Sequence, residues 1–292
     1  MANEFVGVED VNKRLHDVGY LPDESIATVV YLAERLRKPI LVEGPAGVGK
    51  TELAKAVATA READLIRLQC YEGLDEAKAL YEWNYKKQLL RLQADKELGW
   101  RDLHDDIFGE DYLLERPLLR ALRHEAGAVL LIDEVDKVDF EFEALLLEIL
   151  SDFQVTIPEM GTVKGLHHPF VVLTSNNTRE LSEALKRRCL YLYLDYPEVE
   201  REKAIVLSRV PDAPEALADQ LVRIVRSLRQ IELKKPPSIS ETIDWARTLL
   251  ELGFDSVDEN VARGTLNVLL KYQQDLRKAE SHLKIPPRPE MN

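Results

Sequence analysis

The chain has 292 residues, about twice the usual size of a single domain, so two domains or one large α/β unit are expected. It is 45% hydrophobic and 31% charged, with 13 glycines and 14 prolines, which excludes a wholly disordered, collagen-like or low-complexity chain. Its 39 Lys and Arg against 52 Asp and Glu leave a net charge of −13, and this argues against broad affinity for nucleic acid or anionic membrane, which needs clustered positive charge.

Two cysteines, Cys70 and Cys189, are too few for a disulfide scaffold or a structural zinc site, and each sits in an apolar run as a small buried hydrophobe would. The start, MANEFVGVED, lacks the basic and apolar pattern of a signal peptide. No apolar stretch approaches the roughly 18 residues of a membrane span. A cytoplasmic location in a reducing compartment is therefore expected.

In chain order, Asp23 to Arg37 has helical spacing of Ile26, Val29, Val30, Ala33 and Leu36. Residues 39–43 form a short apolar strand closed by Gly44, and Thr51 to Glu62 is again helical. Further strands are predicted at 65–70, 128–132, 170–174 and 190–194, with a helix at 140–153. Strands alternating with helices imply a parallel sheet covered on both faces. Beyond Tyr196-Pro197 no strand pattern remains. Helices are predicted at 198–208, 215–231, 240–253 and 257–283, separated by prolines or by Lys234-Lys235-Pro236-Pro237. The expected organisation is an α/β nucleotide-binding domain at 1–197, a helical domain at 198–285 and an extended tail at 286–292.

Residues 44–51 read GPAGVGKT and match G-x-x-x-x-G-K-[ST] between a strand and a helix. Gly44, Pro45, Ala46, Gly47, Val48 and Gly49 would form a turn whose N–H groups face phosphate oxygens. The helix start, through Glu52, adds partial positive charge. Lys50 is expected to reach the β- and γ-phosphates, and Thr51 to coordinate Mg²⁺. An apolar strand then ends in Asp133-Glu134. Beside a phosphate loop, Asp133 is placed to hold the metal and Glu134 to orient or deprotonate an attacking water. The strand before Thr174-Ser175-Asn176-Asn177 ends in amides that could position that water. Both asparagines qualify, and Asn176 is nearer the strand end. Arg187 and Arg188, between a helix and a strand, could stabilise charge on a transferring phosphoryl group, in the same chain or across a subunit boundary.

These motifs, in this order and before a helical domain, resemble the AAA+ ATPases over roughly residues 15–285. The implied fold is a P-loop parallel sheet sandwiched by helices, with inserted β-hairpins and a small all-α lid. The run FQVTIPEMGTVKGLHHPF (153–170) reads as a hairpin before the TSNN strand. With the long stretch between strands 65–70 and 128–132, it is similar to the MoxR branch. LIRLQCYEGLD and LYEWNY (65–75 and 80–85) are similar to the CoxD-type ATPases, which assist maturation of carbon monoxide dehydrogenase. The resemblance implies ATP as the nucleotide, a homo-hexameric ring and a partner with a von Willebrand factor A domain. It also implies a chaperone activity toward a protein client such as a molybdenum hydroxylase. Arg188 aligns with the arginine finger given in trans, and Arg187 is second choice. The lid sensor arginine of many relatives has no counterpart in Pro236 to Thr242, and Arg247 lies two turns further on.

Tyr71-Glu72-Gly73-Leu74 could be a loop that grips a polypeptide in a ring channel, with Tyr81 to Tyr85 as an inserted hairpin; packing of the same aromatics within the insert is the alternative. The following stretch, with Asp95, Glu97, Asp102, Asp105, Asp106, Glu110 and Asp111 against Lys96 and Arg101, argues against a nucleic-acid platform. His104, His124, His167 and His168 share no ligand spacing with the cysteines, so Mg²⁺ is the one metal expected. Val18 to Leu21 and the lid are expected to line the base pocket. The competing function is a nucleic-acid-associated motor or restriction-type GTPase on the same fold.

Overall fold

The computed structural model describes residues 3–94 and 107–283. Most of the acidic stretch after α5, His104 and the tail at 286–292 lie outside the described residues. The chain divides into two compact units. One comprises residues up to Val18 with Pro22–Glu43 and Lys50–Tyr193; the other comprises Gly19–Leu21, Gly44–Gly49 and the chain from Leu194 onward.

The first unit begins with helices α1 (Val8–Asp17) and α2 (Glu24–Leu36). Asp23 caps α2 by accepting from the Ile26 N–H, and Arg37 ends it in a left-handed conformation. Then follow β1 (Ile40–Glu43), α3 (Lys50–Ala60) and β2 (Asp64–Gln69). An insert contains α4 (Glu76–Ala79), β3 (Tyr81–Trp83), α5 (Tyr85–Ala94) and β4 (Leu113–Glu115). After α6 (Pro117–Leu122) come β5 (Ala128–Asp133), α7 (Phe140–Asp152), the pair β6 (Gln154–Ile157) and β7 (Gly161–Lys164), β8 (Phe170–Ser175), α8 (Glu183–Arg188) and β9 (Leu190–Tyr193).

The main sheet has five parallel strands in the order β2-β5-β8-β1-β9. Burial explains the order. Every residue of β1, β5 and β8 is buried, as central parallel strands require, whereas β2 and β9 alternate and take the edges. With flanking helices and two small antiparallel pairs, this is the fold class expected from the sequence. The hairpin expected within 153–170 is the β6–β7 pair.

The insert corrects one expectation. Tyr81 to Tyr85 is not a hairpin: Tyr81–Trp83 pairs with Leu113–Glu115, and Tyr85 opens α5. Trp83 anchors this pair, buried and packed edge-on against Tyr81 and Phe108.

The second unit is helical: α9 (Val199–Arg209), α10 (Glu215–Arg229), α11 (Ile239–Glu251), α12 (Glu259–Leu269) and α13 (Gln273–His282). The single helix expected over 257–283 is broken at Leu270, which is extended. The break lets Asp275 turn inward, fully buried, to accept from the Lys234 and Lys235 N–H groups at 2.9 and 3.1 Å. Trp245 centres this unit's core and donates its indole N–H to Thr265 at 2.8 Å.

Candidate functional site

In the first unit, β1, β5 and β8 end side by side. Register pairs Glu43 with Ser175 and Ile132 with Leu173, so the carboxyl ends present Lys50, Asp133, Glu134 and Asn176 to one region. Ligand sites of open α/β sheets lie at such strand ends.

The Lys50 amine donates to Asn176 Oδ1 at 2.8 Å, and the Thr51 hydroxyl donates to Asp133 Oδ1 at 3.0 Å. Lys50 is buried, and this desolvation pulls its amine below the ordinary lysine value against the opposing pull of Asp136, Asp133, Glu134 and Glu43. A buried ammonium surrounded by acids is ready to exchange those partners for a polyanion. Asp133 is 3% exposed. It also accepts from the Thr174 hydroxyl and from Arg67, each at 2.5 Å. Glu134 adopts a left-handed conformation, φ 58°, sparsely populated outside glycine, and its N–H donates to Thr174 Oγ1 at 2.9 Å.

Asn177 also has a positive φ, and its N–H donates to Ser175 Oγ. Thus Asn176 faces Lys50 while Asn177 makes the turn. Arg187 and Arg188 end α8, both exposed. Arg188 donates to Ser151 Oγ at 2.6 Å and to the Ala184 carbonyl.

Three neighbours escaped the sequence reading. Asp136 is buried and accepts from the N–H groups of Asn176 and Thr178 and from the Thr178 hydroxyl. Thr174 joins Asp133 to Glu134, and Arg67 reaches Asp133 from β2. The only signal for Asp136 and Thr174 was a polar residue beside each motif, and for Arg67 a charge within an apolar strand.

In the second unit, the turn Gly44–Gly49 has the shape that a phosphate loop needs. Gly44 and Gly47 have φ of 149° and 74°. A Cβ on Gly44 would collide with the Leu194 carbonyl, and one on Gly47 with the Ser238 side chain. Ser238 caps α11 in a reciprocal capping box with Glu241. The capping box stands in the stretch where a lid arginine is absent. Arg247 donates to the Arg209 carbonyl instead. Near the base-pocket segment, Arg201 donates to the Leu21 carbonyl at 2.9 Å.

The cysteines are packing residues by environment: burial pushes both thiols up to about 12. Among the described residues, no helix is long and apolar enough to cross a membrane.

The residues present fit a nucleoside triphosphate with a hard divalent cation. A segment with three glycines precedes a buried lysine in the chain, and a hydroxyl and a carboxylate lie 3.0 Å apart as oxygen ligands would. A protein of Staphylococcus haemolyticus of uncharacterized function is 26% identical over 239 residues, covering 79% of this chain and 82% of its own. The gas vesicle ATPase GvpN of Haloferax mediterranei is 27% identical over 237 residues, covering 73% of this chain and 66% of its own. The solved RuvB Holliday junction branch migration motor of Thermotoga maritima superposes with a TM-score of 0.47 at 21% identity, covering 91% of this chain and 70% of that one. The profile of the ATPase family associated with various cellular activities (AAA) matches residues 40–194, more than half of the chain. With Lys50, Thr51, Asp133 and Asn176 brought together at the ends of strands of a five-stranded parallel sheet, the chain belongs to the AAA family and is an ATPase.

Proposed function

We propose that this chain is a MoxR-type AAA+ ATPase that uses ATP hydrolysis to remodel a protein client, as a chaperone in metalloenzyme maturation or cofactor insertion. One observation carries the catalytic part: Lys50 meets Asn176 at 2.8 Å and Thr51 meets Asp133 at 3.0 Å, at the ends of adjoining strands. The MoxR assignment is supported by the β6–β7 hairpin before β8 and by the insert after β2. The client class rests on the similarity of 65–75 and 80–85 to CoxD-type ATPases, and so does the von Willebrand A partner.

In this reading residues 1–197 bind nucleotide and 198–285 form the lid. The loop Gly44–Gly49 wraps the phosphates with its N–H groups, Pro45 excepted since it has none, and the first turn through Glu52 completes the cradle. Lys50 neutralises charge on the terminal phosphates. Thr51 and Asp133 would hold Mg²⁺, which supplies Lewis-acid charge at the phosphoryl oxygens. Glu134 takes the proton of the attacking water, and Asn176 orients that water. Arg188, exposed at the end of α8, reaches a neighbouring subunit's site in a homo-hexamer, with Arg187 as the alternative.

A phosphate-release assay with ATP and GTP in parallel, with and without Mg²⁺, tests this reading. ATP is expected to be preferred, chelation to abolish turnover, and Glu134→Gln to lower kcat by ~10²–10⁴-fold. A preference for GTP, or salt-sensitive DNA binding in a parallel titration, would overturn it in favour of the motor or GTPase alternative.

A further inference from the structure

The second unit contains the loop Gly44–Gly49 together with the helices, and two of its segments press on that loop. A Cβ on Gly44 would strike the Leu194 carbonyl. One on Gly47 would lie 2.5 Å from Ser238 Cβ and 3.6 Å from Ser240 Oγ. Side chains essentially never approach so closely, so the loop backbone and the start of α11 are already in contact. Gly47 meets that contact at a φ of 74°, a conformation that glycine alone takes at little cost.

Ser238 has little freedom to yield. It is 3% exposed. Its N–H donates to Glu241 Oε2 at 2.9 Å, and its hydroxyl bonds to the same carboxylate. Its carbonyl accepts from the Thr242 N–H at 3.1 Å and from the Thr242 hydroxyl at 3.0 Å. Just before it, the Pro237 carbonyl accepts from Arg229 Nε at 2.7 Å. The same guanidinium lies 4.1 Å from the ring centroid of Tyr196, two residues after Leu194. One arginine therefore fixes both segments that press on the loop, and its two bonds to Glu202 fix the arginine. Close-packed groups transmit displacement, so a shift of α11 is felt at Gly47 and a shift of Gly47 at α11.

The capping box accounts for the bonds between Ser238 and Glu241. It does not require Ser238 to abut a glycine about 190 residues away along the chain.

We propose that Ser238 is a positioning residue of the nucleotide site, which sets the curvature of the loop through Gly47 and couples phosphate binding there to α11. The coupling is by contact, in the stretch that lacks a lid arginine. It rests on Gly44–Gly49 being the phosphate loop.

Calorimetric titration of the full chain with ADP tests this. Asparagine caps a helix as well as serine does, but Ser238→Asn lengthens the side chain that meets Gly47. A role confined to the cap predicts wild-type affinity, whereas the contact predicts binding about tenfold weaker. A double-mutant cycle reads the contact directly. Gly47→Ala is expected to weaken ADP binding about a hundredfold in the wild type. It should do so only about tenfold beside Ser238→Gly, which removes the side chain it strikes and costs the cap little. Hydrogen exchange of the amides at 238–242 reads the coupling in the other direction. ADP is expected to slow that exchange in the wild type, and the slowing is expected to be lost in Ser238→Gly. If the wild type does not bind ADP, the phosphate-loop reading falls and this proposal with it. If the wild type binds ADP but Ser238→Asn binds equally well, this proposal alone is overturned. The same holds if the cycle is additive, or if exchange at 238–242 does not respond to ADP.

Discussion

Asp136 holds the turn that carries Asn176. It sits in a short helical turn after Glu134, and its carboxylate accepts two backbone N–H groups and one hydroxyl from residues 176–178. Replacing it with asparagine keeps the volume but removes the charge that strengthens those bonds. Asp136→Asn is expected to lower kcat by about 10–100-fold, as supporting residues do, while nucleotide affinity is largely kept. Steady-state turnover beside a nucleotide-binding titration checks this. The same residue predicts a pH effect. Burial alone would raise its carboxyl, but the bonds from Thr178 and Asn176 outweigh burial and hold it below the ordinary aspartate value. A depressed folded value contributes stability above the unfolded value, and that stability is lost as pH falls through the folded one. The wild type should therefore lose stability below about pH 4 more steeply than Asp136→Asn, measured by urea midpoints across pH. The phosphate loop and Asp133-Glu134 were legible in the sequence because their chemistry depends on local spacing. Asp136, Thr174 and Arg67 were not, because their partners lie 40, 41 and 66 residues away.

At the scale of elements, the helical unit is tied together by a buried ion pair. Arg229 at the end of α10 makes two bonds to Glu202 of α9, at 2.6 and 2.7 Å, and both side chains are under one-tenth exposed. Its Nε donates to the Pro237 carbonyl, and its guanidinium lies 4.1 Å from the Tyr196 ring centroid. Pro237 precedes Ser238, the cap of α11, so one side chain links two helices to the start of a third. Arg229→Ala leaves Glu202 buried and unpaired and is expected to cost about 3–5 kcal/mol in chemical denaturation. Replacing Glu202 and Arg229 together with leucine and methionine should cost less than the single change, since no charge is then left without a partner. Helix and strand existence was legible from apolar period in most of the chain. The β3–β4 pairing was not, because about 30 residues separate the partners, and neither was the break at Leu270, because the bonds that hold Asp275 inside come from Lys234 and Lys235, about 40 residues earlier.

For the whole molecule, strand order is what makes the site. β1 does not lie beside β5; β8 lies between them, so the Thr174 to Asn176 segment stands between the end of β1 and Asp133. On the proposed ring, Arg188 completes a neighbour's site, and specific ATPase activity should rise with protein concentration as subunits assemble. Arg188→Ala is expected to lower turnover by ~10³-fold or more with assembly intact, checked by phosphate release beside sedimentation. If Arg188→Ala leaves both the oligomer and full activity unchanged, the trans role belongs to another residue.

By itself the sequence determined that this chain binds nucleotide, since a glycine turn, a lysine and a hydroxyl at fixed spacing act within a few residues. It also determined the parallel sheet class, through fully apolar strands between amphipathic helices. Only the tertiary structure decided which strands adjoin and which asparagine meets Lys50. It alone revealed that Asp136 braces the turn after β8 and that Glu34 and Arg61 form a buried ion pair. These are contacts between residues distant along the chain, and only the packed core sets their geometry. The net charge of −13 bears on neither decision, because the cations that matter, Lys50 at one end of the sheet and Arg61 at the other, are buried and act locally.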